Sequence, residues 1–172
     1  GGNEIVVALD AGSGTTRWQF SYAAPLLHDG YFDVWLNAAG PGPYATPLIA
    51  GDQVFSLGTN GQFHALDLQT GAIQWSHNLV DLFELSDFVA FTSSPLAFGE
   101  TVILPLGSSG QGVVAFDQET GAVVWQSGEF AAAPSSAVLI SVDGEEQLVV
   151  FGHQALVGLD PTDGSRLWRH PL

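Results

Sequence analysis

The chain has 172 residues, 46% of them hydrophobic, which suits one folded unit with a core of its own. Eighteen acidic residues face three arginines and no lysine, a formal charge of −15, and that field repels nucleic-acid backbones and anionic lipid surfaces. The absence of cysteine excludes disulfides and thiolate metal sites, and no apolar run reaches the roughly 18 residues of a spanning helix, so no transmembrane segment is expected.

The chain opens Gly1-Gly2-Asn3, without methionine or a signal peptide, and is expected to be a processed form or a piece of something longer. The first readable stretch, IVVALDAGSGTTRW (5–18), is a strand running into a turn of small residues. Taken alone, its DAGSGTT resembles the first phosphate-binding hairpin of sugar-kinase and actin-like ATPases. Three further copies remove that reading. ALDAGSGTTRW (8–18), ALDLQTGAIQW (65–75), AFDQETGAVVW (115–125) and GLDPTDGSRLW (158–168) align without gaps, with Asp third, Gly seventh and Trp eleventh. The copies DLQTGAI, DQETGAV and DPTDGSR have nothing of a nucleotide loop, so DAGSGTT is read as a structural turn.

The aspartates stand at 10, 67, 117 and 160, and the last interval of 43 residues is that of one four-stranded propeller blade. In chain order, each complete unit offers four short strand candidates bounded by turn residues. The first strands are ATPLIAG (45–51), SSPLAFG (93–99) and SSAVLISVDG (135–144). The second are QVFSLG (53–58), TVILPLG (101–107) and LVVFG (148–152), and the third are QFHALD, GVVAFD and ALVGLD. The fourth carries the tryptophan, and no segment shows a convincing helical period. Three full units plus an N-terminal hairpin give fourteen expected strands, arranged as an all-β propeller of about three and a half blades. The whole chain, 1–172, reads as one partial propeller domain. The half blade is 1–22, the full blades are 45–79, 93–128 and 135–172, and the long loops are 23–44 and 80–92. Such an arc is expected to belong to a ring of seven or eight blades, completed by further sequence or by another chain.

In D-x-x-T-G the carboxylate accepts bonds from turn amides or the Thr hydroxyl, and Gly takes positive φ cheaply. The pattern resembles the tryptophan-docking motif of the pyrroloquinoline-quinone (PQQ)-type β-propellers, which include quinoprotein alcohol dehydrogenases and the propeller lipoprotein of outer-membrane barrel assembly. The resemblance implies indoles stacked on the Gly peptide of an adjacent motif. It assigns the blade motif to Asp10, Gly14, Trp18, Asp67, Thr70, Gly71, Trp75, Asp117, Thr120, Gly121, Trp125, Asp160, Gly164 and Trp168. Ser13 replaces the usual Thr, Gly158 replaces Ala and Asp163 stands where Thr is expected, departures that leave the last turn's hydrogen bonding open and the fold expectation unchanged. The resemblance also implies a periplasmic or extracellular location.

In alternating strands, the long connections all emerge on one face. That face is the expected binding face, and its loop 23–44 gathers His28, Asp29, Tyr31, Phe32, Asp33 and Trp35, a candidate partner-binding set that includes the only tryptophan outside the repeat. The other reading is a loop packing its own aromatics over the propeller end. Asp81, Glu84 and Asp87 suit a cation or a solvated rim. His64, His77, His153 and His170 read as surface or sheet residues, since no HExxH or Cys/His cluster pairs them. GSSGQG (107–112) lacks the lysine of a phosphate loop and joins two strands, and no G-x-S-x-G elbow presents a serine nucleophile. No catalytic residue is assigned. The reading favoured is a non-catalytic protein-interaction scaffold or accessory subunit, with a protein partner and no nucleic acid. The alternatives are part of a PQQ-dependent dehydrogenase of alcohols or sugars, in which case PQQ and calcium follow, and a small-ligand sensor.

Overall fold

Fourteen short strands account for nearly all regular structure in the computed structural model, which describes residues 2–25, 42–85, 91–108, 111–128, 133 and 135–172. β1 (Asn3–Leu9) and β2 (Thr16–Ala23) form an antiparallel hairpin. Three four-stranded antiparallel sheets follow, each in simple meander order. The second blade comprises β3 (Leu48–Ala50), β4 (Gln53–Leu57), β5 (Gln62–Asp67) and β6 (Ile73–Asn78). The third comprises β7 (Leu96–Phe98), β8 (Thr101–Ser108), β9 (Gln111–Asp117) and β10 (Val123–Ser127). The fourth comprises β11 (Val138–Val142), β12 (Glu145–Gly152), β13 (Ala155–Leu159) and β14 (Arg166–Pro171). The all-β propeller reading therefore holds, with three and a half blades. One helical turn, α1 (Leu79–Leu82), was not legible as a period; its first turn is held by the Asn78 side chain, which accepts from Val80 N at 3.1 Å.

Period-two side chains put a hydrophobic layer on both faces of an interior blade. Val113, Val114, Ala115 and Phe116 of β9 are all fully buried, because alternate residues face the blades before and after. Three apolar clusters fill the three seams. Val6 and Trp18 meet Val54 and Leu66 between the first hairpin and the second blade. Phe55, Phe63 and Ala65 meet Val102, Val114 and Phe116 in the next seam. Ile103, Val113 and Trp125 meet Leu148, Val150 and Val157 in the last. β1, by contrast, alternates exposed and buried, with Ile5, Val7 and Leu9 open to solvent on the face that has no blade before it.

Each turn after a third strand repeats one backbone bond, the motif glycine N donating to the aspartate O at 2.8–2.9 Å. Asp67 Oδ1 accepts from Gln69 N, Thr70 N and Thr70 Oγ1 at 3.1, 2.7 and 2.7 Å, and Asp117 Oδ1 accepts from Thr120 N and Oγ1 at 2.7 and 2.6 Å. These donors hold both carboxyls below the ordinary aspartate range, the hydroxyl contributing most. In the first turn Arg17 sits 2.7 Å from Asp10 and, with Ser13 and Gly12, lowers its carboxyl to about 2. The last turn differs: Asp160 Oδ1 accepts from Thr162 N, while Asp163 takes Ser165 N. With Asp163 in the threonine's place there is no hydroxyl to donate back.

Candidate functional site

Two features distinguish the molecule: a one-way chain of indole contacts, and a polar group buried in the first seam. Trp18 Nε1 donates to Leu68 O at 2.9 Å, Trp75 Nε1 to Gln118 O at 2.7 Å and Trp125 Nε1 to Pro161 O at 3.2 Å. Each acceptor is the residue after the motif aspartate of the following blade. The ring then covers that blade's glycine so closely that a Cβ at Gly71 or Gly121 would lie 2.5 or 2.7 Å from the indole, and one at Gly164 would also collide. Positive φ of 71–73° at these glycines is the second reason no other residue serves. His77 reinforces the central link, its ring nitrogen 2.7 Å from Gly121 O. The fourth indole behaves differently: Trp168 lies over Gly158 of its own blade and donates to Gln147 Oε1 at 2.7 Å. Gly14, at the other end, has nothing within 4 Å of where a Cβ would stand.

In the first seam, Glu4 is only 6% exposed, although it lies near the start of a hairpin edge strand. It shares its side of β1 with Val6 and Ala8, which face the second blade. Its Oε2 accepts from Tyr22 Oη at 2.6 Å, and its Oε1 from Thr59 Oγ1 at 2.8 Å and Thr59 N at 3.2 Å. Gly58 makes room, since a Cβ there would stand 2.6 Å from the Tyr22 hydroxyl. His64 lies beside them with 4% exposure, 4.5 Å from the Tyr22 ring and 4.9 Å from Phe20 between centroids. Its Nδ1 is buried without a hydrogen-bond partner. Burial lowers the imidazole to about 4, against the opposing pull of the Glu4 charge, and burial together with the Glu4 bond raises the Tyr22 phenol.

His64 therefore lies in a sheet, one of the two places the sequence reading allows, and is buried there. Its neutrality has a measurable consequence. Between pH 6.5 and about 4 the unfolded chain takes up a proton at this imidazole that the folded seam refuses, so acidification costs stability. Moving from pH 7 to pH 5 is expected to cost about 2 kcal/mol through this group alone. His64→Leu should lose that increment, and urea midpoints of both proteins at the two pH values test it; equal pH dependence would remove His64 as the source.

Of the residues proposed for partner binding, His28, Asp29, Tyr31, Phe32, Asp33 and Trp35 lie outside the described residues, as does Asp87. The described part of the long-loop face is built on the second blade. The segment after β6 turns back through α1, with Leu79 N bonded to Gly61 O at 2.9 Å and Phe91 N to Thr59 O at 3.1 Å. Asp81 there pairs with Asn78, and Glu84 takes a positive φ of 50°. His153 and His170 are exposed. Among the described residues no three His, Asp or Glu side chains come together as metal ligands, and no helix is long and apolar enough to cross a membrane.

A family profile described as outer membrane protein assembly factor BamB matches residues 2–172. The chain belongs to the BamB family. Among solved structures, BamB from Moraxella catarrhalis superposes with a TM-score of 0.67 at 25% identity, over 98% of this chain and 47% of that one. A quinohemoprotein alcohol dehydrogenase from Comamonas testosteroni superposes at 0.69 with 16% identity, over 97% of this chain and 32% of that one, and shares the fold alone. The chain thus spans about half of the BamB structure and a third of the dehydrogenase. No curated protein matches the sequence.

Proposed function

We propose that this BamB-family chain is a non-catalytic interaction scaffold or accessory subunit that works outside the cytoplasm, in the periplasm, and offers the long-loop face of its propeller to a protein partner. The observation that carries this reading is the family match over residues 2–172, whose description names outer membrane protein assembly. The geometry is compatible with it. One face is closed by four tight turns whose backbone groups are bonded within the turn, and the sequence reading assigns the long connections 23–44 and 80–92 to the other. Residues 28–35 supply aromatic anchors within an acidic surround, the composition of a partner-binding hot spot.

The dehydrogenase alternative asks for PQQ and calcium. Glu4 is the buried carboxylate among the described residues, and its oxygens already serve Tyr22 and Thr59, so the described donors do not fit a calcium cage. The proposed function uses neither group.

The test is the native mass of the purified protein from its own envelope, with mass-spectrometric identification of what accompanies it. A stoichiometric outer-membrane assembly protein is expected. Replacing Tyr31, Phe32 and Trp35 together by serine should release that protein without changing the far-ultraviolet circular dichroism. Retention of the partner by the variant, or quinone-dependent oxidation of an alcohol by the purified protein, would overturn the proposal.

A further inference from the structure

Both long connections of the loop face stand on one short loop. The segment 58–61, between β4 and β5, holds the second connection at both ends: Gly61 O accepts from Leu79 N at 2.9 Å where it leaves, and Thr59 O accepts from Phe91 N at 3.1 Å where it returns. Gly61 also lies under the Phe91 ring, which stands 2.6 Å from where its Cβ would be. The first connection is tied to the same loop through Glu4. It leaves beside Tyr22, whose hydroxyl donates to Glu4 Oε2, and it returns at Gly42, where a Cβ would collide with Thr59 Cγ2 and stand 3.5 Å from Glu4 Oε1. Glu4 Oε1 in turn accepts from the amide and the hydroxyl of Thr59. Four feet therefore rest on Glu4 and the 58–61 loop.

His64 lies behind this knot, on the strand into which the loop leads, with its ring against that of Tyr22. Its buried Nδ1 is a base without a partner, and a proton placed there would need an acceptor. The neighbours are Glu4 from β1, Phe20 and Tyr22 from β2, and Ser56 from β4, which pairs with His64 across the strands. Glu4 is the charged one among them, and its two oxygens already serve Tyr22 and Thr59.

We propose that Glu4, Tyr22, Thr59 and His64 form a proton-sensitive clamp on the feet of both long connections. Neutral His64 leaves Glu4 to its three donors, and the clamp is shut. A proton on Nδ1 creates a charged donor that competes for the same carboxylate, so Glu4 leaves Tyr22 and Thr59 for the imidazolium and the bonds under the feet are undone. The clamp deepens the loop-face reading above, and it rests on that reading for its consequence, that a partner is held more weakly as pH falls. The shut clamp holds His64 at about 4, and the open one returns it at least to its ordinary basicity. Stability of the shut form is therefore lost as pH falls below 6.5, and the open fraction should rise about twentyfold between pH 7 and pH 5.

The experiment is amide hydrogen exchange, read by nuclear magnetic resonance on the 172-residue protein at pH 7 and pH 5, with and without sub-denaturing urea. Rates are divided by the intrinsic exchange rate at each pH. The reporters are Thr59 N, which bonds Glu4, Ala24 N, which bonds Gly2 O at 3.0 Å beside the first foot, and Phe91 N at the last. Their protection should fall about twentyfold at pH 5 without depending on urea, the mark of a local opening, whereas Val113 and Val114 on β9 should follow urea. His64→Leu and His64→Gln should each abolish the pH effect at the three reporters. Equal protection at the two pH values, a fall that both substitutions leave in place, or a fall that follows urea in step with β9 would each overturn the clamp. If the reporters respond and a co-purified partner is held equally at both pH values, the clamp stands and the loop-face reading falls.

Discussion

Replacing Trp75 by alanine should destabilise the arc by about 3–4 kcal/mol, a large part of the stability of a small domain. The indole is the centre of the seam between the second and third blades. Its ring lies 5.8 Å from Phe55, 5.3 Å from Phe63 and 6.3 Å from Phe116 between centroids, and it donates to Gln118 O. Alanine would leave a cavity between two sheets that otherwise meet mainly by side-chain packing, and would orphan the carbonyl. Trp168→Ala removes the same side chain from the same repeat position, but there the ring rests on its own strand, so the expected loss is about 1 kcal/mol. Urea unfolding of the two variants beside the parent protein measures both losses. Equal losses for the two substitutions would mean that the indole stabilises its own blade and not the seam.

The second large effect is expected from one oxygen atom. Tyr22→Phe keeps the ring against His64 and Phe20 but takes the hydroxyl from Glu4 Oε2. A buried carboxylate that loses one of its three donors should cost about 2 kcal/mol, the scale of a hydrogen bond to a charged group. Because Glu4 and Tyr22 sit on adjacent strands and Thr59 on the next blade, the loss should loosen the first hairpin ahead of the rest. Hydrogen exchange should show faster opening in β1 and β2 than in β8 and β9. A cycle with Glu4→Ala should give coupling above 1 kcal/mol; additivity would mean that the two side chains stabilise the seam independently.

The repeat made the architecture legible. Four copies of Asp, Gly and Trp in fixed register marked the third and fourth strands, and the β-branched runs before them marked the others. The turn α1 escaped because four residues held by Asn78 and by the Gly61 carbonyl carry no period. The buried cluster escaped for another reason: an acid, a phenol and an imidazole far apart in sequence each read as ordinary strand residues. Parity was the available signal. Glu4 alternates in step with Val6 and Ala8, Tyr22 with Trp18 and Phe20, and His64 with Leu66, so all three were already on the inward face of one seam. What no pattern shows is that Thr59, in the loop between β4 and β5, supplies the remaining two donors.

That seam also gives the blades an address. The indole and glycine are alike in every repeat, so by themselves they would let any blade follow any other. A hairpin carrying Glu4 does not have that freedom: set against the third or fourth blade, its carboxylate would meet the seams of Val114 or Val157 in place of the Thr59 loop. The joint at Glu4 therefore fits one neighbour, the second blade, whereas the indole contact recurs from seam to seam.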